Sequence, residues 1–447
     1  MNWKKHIEMK HGKRGKRAYR ANTVDLTGVM SDARSADPAA GMYQLIFPLA
    51  YLFTLVYIFT VPFENAIVIE GIGSISRVVG ILIFGMWILL LLLKQSIRIF
   101  PPFFIFSALF VVWCSFALLW SRNPDVVKFF LFTYIQLFMA SYFIWLTLND
   151  KKRCVMALLV YLFGACVAVS IVFWEFYTSD GSDLAARKGI EGVDFNELAM
   201  SISLALPIAW YLATKSAAGA TGRLVTIVSY VFLPCGVLAI MMTGSRAGFA
   251  STLPVALYIL TSLFYVSRSA KILAGLALIF SIVVVIQYIP EAQFARILTL
   301  SDEIESGNIS GRGDLWKAAV HIWLASPLNS ILGIGVGGFG LEFGIVAHST
   351  FLSVLAETGL IGFIVFLFML FSLFVGCMRS QRELKYMLLA IFVSWALGAA
   401  TLTWEYAKIT WLVWSLLVCV AYAFPRYSTT RKSRKRRKRM SHKRVGS

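Results

Sequence analysis

The chain has 447 residues, 58% of them hydrophobic and 15% charged, with a formal net charge of +19 and a mean hydropathy of +0.74. That hydropathy excludes an ordinary soluble domain. The placement of the charge argues against nucleic acid, because most Lys and Arg crowd the two ends and in the C-terminal tail only Tyr427 offers a ring for base stacking.

What is left is a polytopic membrane protein, read as one integral domain with two tails. Residues 1–42 are polar and basic, carrying Lys4, Lys5, Lys10, Lys13, Arg14, Lys16, Arg17 and Arg20. No short apolar core followed by small residues stands near the start, so a cleaved signal peptide is not expected. Runs of about 20 apolar residues predict about twelve membrane helices across residues 43–425. They start near Tyr43, Ser74, Phe103, Lys128, Cys154, Phe195, Leu224, Gly248, Lys271, Thr350, Lys385 and Lys408. Residues 426–447 form the second basic tail.

An even number of spans puts both tails on one side. The loops assigned to that side carry Lys94 and Arg98; Lys151, Lys152 and Arg153; Lys215 and Arg223; Arg268 and Lys271; and Arg379, Arg382 and Lys385. On the other side, Glu64 to Glu70 has no Lys or Arg, and Ser121 to Lys128 is mixed. The positive-inside rule then places both termini in the cytoplasm, where the tails meet anionic lipid headgroups at about 1 kcal/mol per charge. The large polar segment 290–349 faces outward in this topology. Within it, Asp314 to Ala325 aligns Leu315, Trp316, Ala319, Ile322 and Trp323 on one helical stripe that Pro327 ends, which predicts an amphipathic helix lying on the membrane.

The residues able to do chemistry gather on the outward side, and each has two readings. Arg246, in Thr243-Gly244-Ser245-Arg246, can hold a phosphate bidentately with Ser245 and glycine amides beside it, or can snorkel to headgroups. Arg312 is a second phosphate ligand or a surface arginine, with Trp316 four residues on to stack against it. His348 is the best candidate base, since an imidazole accepts a proton near neutral pH; a structural histidine is the other reading. His321 lies nine residues after Arg312, about 180° around a helix, and is read as structural. Glu357, nine residues after His348, should on a straight helix meet a neighbouring element rather than orient the histidine.

Gly333 to Gly340 contains a GxGxxG pattern without βαβ context. It is read as a flexible or tight turn, with amides that can approach a phosphate. Asp194, Asn196 and Glu197 hydrogen-bond a sugar or cap a helix. Cys114, Cys154, Cys166, Cys235, Cys377 and Cys419 read as buried small hydrophobes. With neither HExxH nor GxSxG nor any Cys/His cluster, no metal and no cofactor are expected.

His348-Ser349, nine residues, Gly359, two residues, Gly362 resembles the histidine motif of the bacterial O-antigen ligases, again at the end of a large outer loop. The resemblance extends through Gly311-Arg312, Trp316, Pro327 to Gly340, Thr243 to Arg246 and Asp194 to Ala199, roughly residues 190–375. It implies an all-α integral membrane protein of the inner membrane with its site in the periplasm. It also implies that Arg246 and Arg312 grip the pyrophosphate of an undecaprenyl-pyrophosphate-linked glycan while His348 serves the acceptor hydroxyl, with Ser245, Trp316 and Asn196 in support. The expected reaction is metal-independent and inverting, and joins O-antigen to lipid A-core; the alternative is a related polymerase extending a growing glycan. A transporter or flippase would carry charges near the middle of several spans, whereas here Arg77 lies near a span end.

Overall fold

The structure, a computed structural model, describes residues 38–71, 73–93, 98, 100–178, 194–215, 219–288 and 312–426. Almost all of both basic tails, and residues 289–311 of the polar segment, lie outside the described residues. The architecture is helical, apart from one antiparallel hairpin of β1 (Val68–Ile69) and β2 (Gly73–Ser74). The first half contains α1 (Pro38–Thr60), α2 (Ile75–Leu92), α3 (Pro102–Phe116), α4 (Pro124–Thr147), α5 (Lys151–Thr178), α6 (Phe195–Lys215) and α7 (Ala220–Met242). It is followed by α8 (Arg246–Ala250), α9 (Leu253–Ser262) and α10 (Arg268–Tyr288). The last part contains α11 (Gly313–Leu324), α12 (Pro327–Leu332), α13 (Gly338–Phe343), α14 (Thr350–Met378), α15 (Arg382–Ala399) and α16 (Lys408–Ala423).

Each of the expected span starts falls at or within a few residues of a helix start. Eight stretches among the described residues are long and apolar enough to cross a membrane, while the apolar helices Ile75–Leu90 and α16 are shorter. At 1.5 Å per residue, α16 spans only about 24 Å, less than the hydrocarbon core of about 30 Å. The helix expected near Gly248 is broken into α8, α9 and a 3-10 turn, Leu263–Tyr265. Ser251 and Thr252 donate their hydroxyls back to the carbonyls of Ala247 (2.8 Å) and Phe249 (2.7 Å), and Pro254 has no amide to continue the ladder.

The core is apolar and aromatic. Trp145, Trp210, Trp395, Trp404, Trp411 and Trp414 are all fully buried, and α6 is enclosed along most of its length between α5, α7 and α15. Rows such as Ile364, Phe368 and Phe371 on α14 face outward, as lipid-facing residues do.

The amphipathic helix forms as α11, and part of its stripe meets protein. Ala319 and Ile322 are buried in a small cluster with Phe339, Ala347 and Ala356 of the following segment and α14. Pro327 does not end α11; it opens α12 behind the Ser326 cap, with Ala325 closing the helix before it. A proline serves at a helix start because its missing N–H is not needed there.

α14 is discontinuous. Gly359 has φ +66 and ψ −173 inside it, and the peptide groups freed at the break are taken up by the glycine segment. The amide of Ile334 donates to the carbonyl of Ala356 (3.1 Å) and that of Gly335 to Glu357 (2.9 Å). The indoles of Trp113 and Trp120 donate to the carbonyls of Thr358 (2.9 Å) and Gly333 (3.0 Å). Non-helical backbone at membrane depth survives only when its polar groups are satisfied by protein in this way.

Candidate functional site

The site is assembled at the end of the bundle where α14 begins. Ser349 caps that helix, its hydroxyl accepting from the Leu352 amide at 3.5 Å, and the residue before the cap is His348. With φ +50, His348 is the only non-glycine among the described residues on the positive side. The left-handed conformation costs an L-residue about 1–2 kcal/mol, and such strain gathers at functional sites. Three contacts impose the turn. The His348 carbonyl accepts from the Trp316 indole at 3.4 Å, Ala347 is buried against α11, and the Thr350 amide donates to the Leu402 carbonyl at 2.9 Å.

Arg312 immediately precedes α11 and is half-buried. One guanidinium N–H is fixed on the Thr401 carbonyl at 2.7 Å, while its own carbonyl accepts from the Trp316 amide at 3.0 Å. Trp316 thus ties the two residues together: its amide holds Arg312 and its indole N–H holds His348. The imidazole is pushed below the ordinary histidine range first by burial and then by the charge of Arg312, with Asp194 opposing. His348 is therefore neutral near pH 7 and able to accept a proton.

Asn196 and Ser245 also come together. The Asp194 carboxylate caps α6 by accepting from the Asn196 amide (2.7 Å), and Ser245 donates to the Asn196 side-chain oxygen (3.0 Å). Ser245 in turn accepts from the Gly248 amide (3.2 Å), which makes it the cap of α8, with Arg246 as the first helical residue. Of the two readings for Asp194 and its neighbours, the cap is the one seen. Ser245 is buried, and its hydroxyl is occupied in orienting the turn that presents Arg246. The structure therefore forms two clusters, Arg312–Trp316–His348 and Asn196–Ser245–Arg246. Asp194, the cap beside Asn196, is near enough for its charge to act on His348.

Two expectations change. The amides of Gly337 and Phe339 are not available to a phosphate: they donate to the two oxygens of the Glu357 carboxylate at 2.7 and 3.2 Å. Glu357 does meet a neighbouring element, as the capping group of α13, and the segment is pinned rather than flexible. His321 is exposed on α11 and takes no part in either cluster.

Sequence reasoning did not find Thr350 or the segment 400–407. Thr350 is fully buried; its hydroxyl donates to the Leu402 carbonyl (2.8 Å) and accepts from the Trp404 amide (2.8 Å). One turn on, Ser353 donates to Glu405 at 2.6 Å. Burial raises the Glu405 carboxyl to about 7. The run Ser349-Thr350-x-x-Ser353 was a visible signal; its partners, mostly backbone groups, left none.

These features define a helical membrane protein with a strained histidine and an adjacent arginine at one end of its bundle. Residues 230–367 match the family model described as O-antigen ligase, which supports a place in that family and in polysaccharide biosynthesis at a membrane. The matched stretch contains Arg246, Arg312, His348, Gly359 and Gly362, while Asn196 lies outside it. No curated protein matches the chain.

Proposed function

We propose that the protein transfers an undecaprenyl-pyrophosphate-linked glycan to an acceptor hydroxyl at the periplasmic face of the inner membrane, joining O-antigen to lipid A-core. The observation that carries this reading is the Arg312–Trp316–His348 cluster: an imidazole kept neutral and a fixed guanidinium beside it, within a stretch that matches the O-antigen ligases. On this reading the chain crosses the membrane about twelve times, both termini are cytoplasmic, and the basic tails rest on anionic lipid.

The chemistry follows from the groups present. His348 takes the proton of the acceptor hydroxyl as its oxygen bonds to the anomeric carbon, and the bond from that carbon to the pyrophosphate breaks. The electron pair leaves on undecaprenyl pyrophosphate, whose charge Arg312 and Arg246 neutralise. Two guanidiniums provide that stabilisation without a metal ion, and a single direct displacement inverts the anomeric centre. Donor binding also adjusts the base. The pyrophosphate offsets the Arg312 charge that holds His348 down, so the imidazole becomes more basic once the donor is in place.

The test uses His348→Ala and Arg312→Ala variants shown to be inserted and stable. Each is expected to lose glycan transfer by at least about 100-fold, the scale of losing a catalytic base or a charge-stabilising donor; full activity in either removes the site assignment. The lipid products of a deletion strain decide the acceptor. Polymerised glycan retained on its lipid carrier supports the ligase, whereas single repeats capping lipid A-core identify a polymerase.

A further inference from the structure

The segment 400–407 touches both halves of the candidate site. Its Thr401 carbonyl holds the Arg312 guanidinium at 2.7 Å. The next residue, Leu402, accepts from both the amide (2.9 Å) and the hydroxyl (2.8 Å) of Thr350, two residues after His348. The Trp404 amide completes the clamp by donating to that same hydroxyl at 2.8 Å. We propose that Thr350 is a positioning residue that sets Arg312 and His348 in one frame, acting through the backbone of Thr401, Leu402 and Trp404. The inference rests on the reading that Arg312 holds the donor and His348 serves the acceptor.

Thr350, Leu402 and Trp404 are all buried, with exposures of 0%, 4% and 1%, so water does not replace a bond lost there. A valine at 350 keeps the shape of threonine but can neither donate nor accept. It leaves the Trp404 amide and half of the Leu402 bonding unpaired, and a segment with buried unpaired groups shifts to pair them. Thr401, adjacent to Leu402, moves with it and carries the Arg312 fork away from its place beside His348. The far end of the segment stays attached: Ser353 holds the Glu405 side chain, and the Trp411 indole donates to the Glu405 carbonyl at 2.7 Å. The disturbance is therefore confined to the part nearest Arg312, and the variant folds.

The experiment compares wild type with Thr350→Ser, Thr350→Cys and Thr350→Val in proteoliposomes, with an undecaprenyl-pyrophosphate-linked glycan as donor and lipid A-core as acceptor. Thr350→Ser keeps the hydroxyl and is expected within about twofold of wild type, whereas Thr350→Val loses about 10- to 100-fold in kcat/KM, the scale of a sub-ångström to 1 Å misplacement. Undecaprenyl pyrophosphate, the leaving product, reads the donor side alone; its inhibition constant is expected to rise about tenfold in Thr350→Val, the loss of one well-placed charge-assisted contact. In an Arg312→Lys background the same valine is expected to cost less than about threefold, since groups acting through one another are not additive.

A folded Thr350→Val protein with unchanged kcat/KM and inhibition constant overturns the inference, as does a valine effect of full size in the lysine background. If the valine variant fails to insert, Thr350→Cys, a weaker donor and acceptor, is expected between the near-wild-type activity of Thr350→Ser and the loss expected of Thr350→Val; full wild-type kinetics overturns the inference. Retained activity in Arg312→Ala and His348→Ala defeats the underlying reading instead. Their loss alongside unchanged Thr350→Val defeats only the role given to Thr350.

Discussion

Gly359→Ala probes the break in α14, on which the placement of the outer segment depends. At φ +66 and ψ −173 this residue occupies a region that is nearly exclusive to glycine, costing other residues about 1–3 kcal/mol. An added Cβ would also overlap the carbonyl of Ile331 and the amide of Gly333, both backbone groups with no rotamer to yield. Relief requires the two strands of backbone to separate, which breaks the bonds from Ile334 to Ala356 and from Gly335 to Glu357, each worth about 1 kcal/mol net. Together these amount to about 3–5 kcal/mol. The assay is thermal unfolding in detergent followed with a thiol-reactive dye, since Cys114, Cys154, Cys377 and Cys419 are buried and free. Gly376→Ala is the control in the same helix: its Cβ would meet only the Ala421 Cβ at 3.8 Å, an ordinary contact, and alanine in a helix gains about 0.5–1 kcal/mol over glycine. The reasoning is refuted if Gly359→Ala unfolds at the wild-type temperature, or if Gly376→Ala falls as far.

The pH profile tests the base. Only neutral His348 accepts a proton, so the rate rises as pH climbs through its folded pKa and is flat above. Burial and Arg312 depress that pKa in the free enzyme, which sets the acid limb of kcat/KM below the ordinary histidine value of about 6.5. The donor offsets Arg312, so the acid limb of kcat is expected at higher pH than that of kcat/KM; coincident limbs would show that the two groups are uncoupled. Ser245→Ala removes the α8 cap and the bond to Asn196. It is expected to cost about 1–2 kcal/mol of stability and to weaken inhibition by undecaprenyl pyrophosphate by misplacing Arg246; unchanged inhibition would detach Arg246 from the donor.

What the sequence determined by itself is local. Runs of apolar residues announced the helices, because a membrane span must carry its own hydrophobic length. The stripe on α11 gave that helix, and the spacing from His348 to Gly359 and Gly362 gave the resemblance to the O-antigen ligases. What crosses sequence distance was decided only by the tertiary structure: that α11 packs part of its stripe on protein, that the Glu357 carboxylate occupies the amides of Gly337 and Phe339 in the glycine turn, and that Thr350 joins residues 401 to 404. Most of these partners are backbone N–H and C=O groups, which every residue carries alike, so no letter of the sequence marks them. Folding brings them within 3 Å, and in a buried site that proximity fixes where Arg312 and His348 stand.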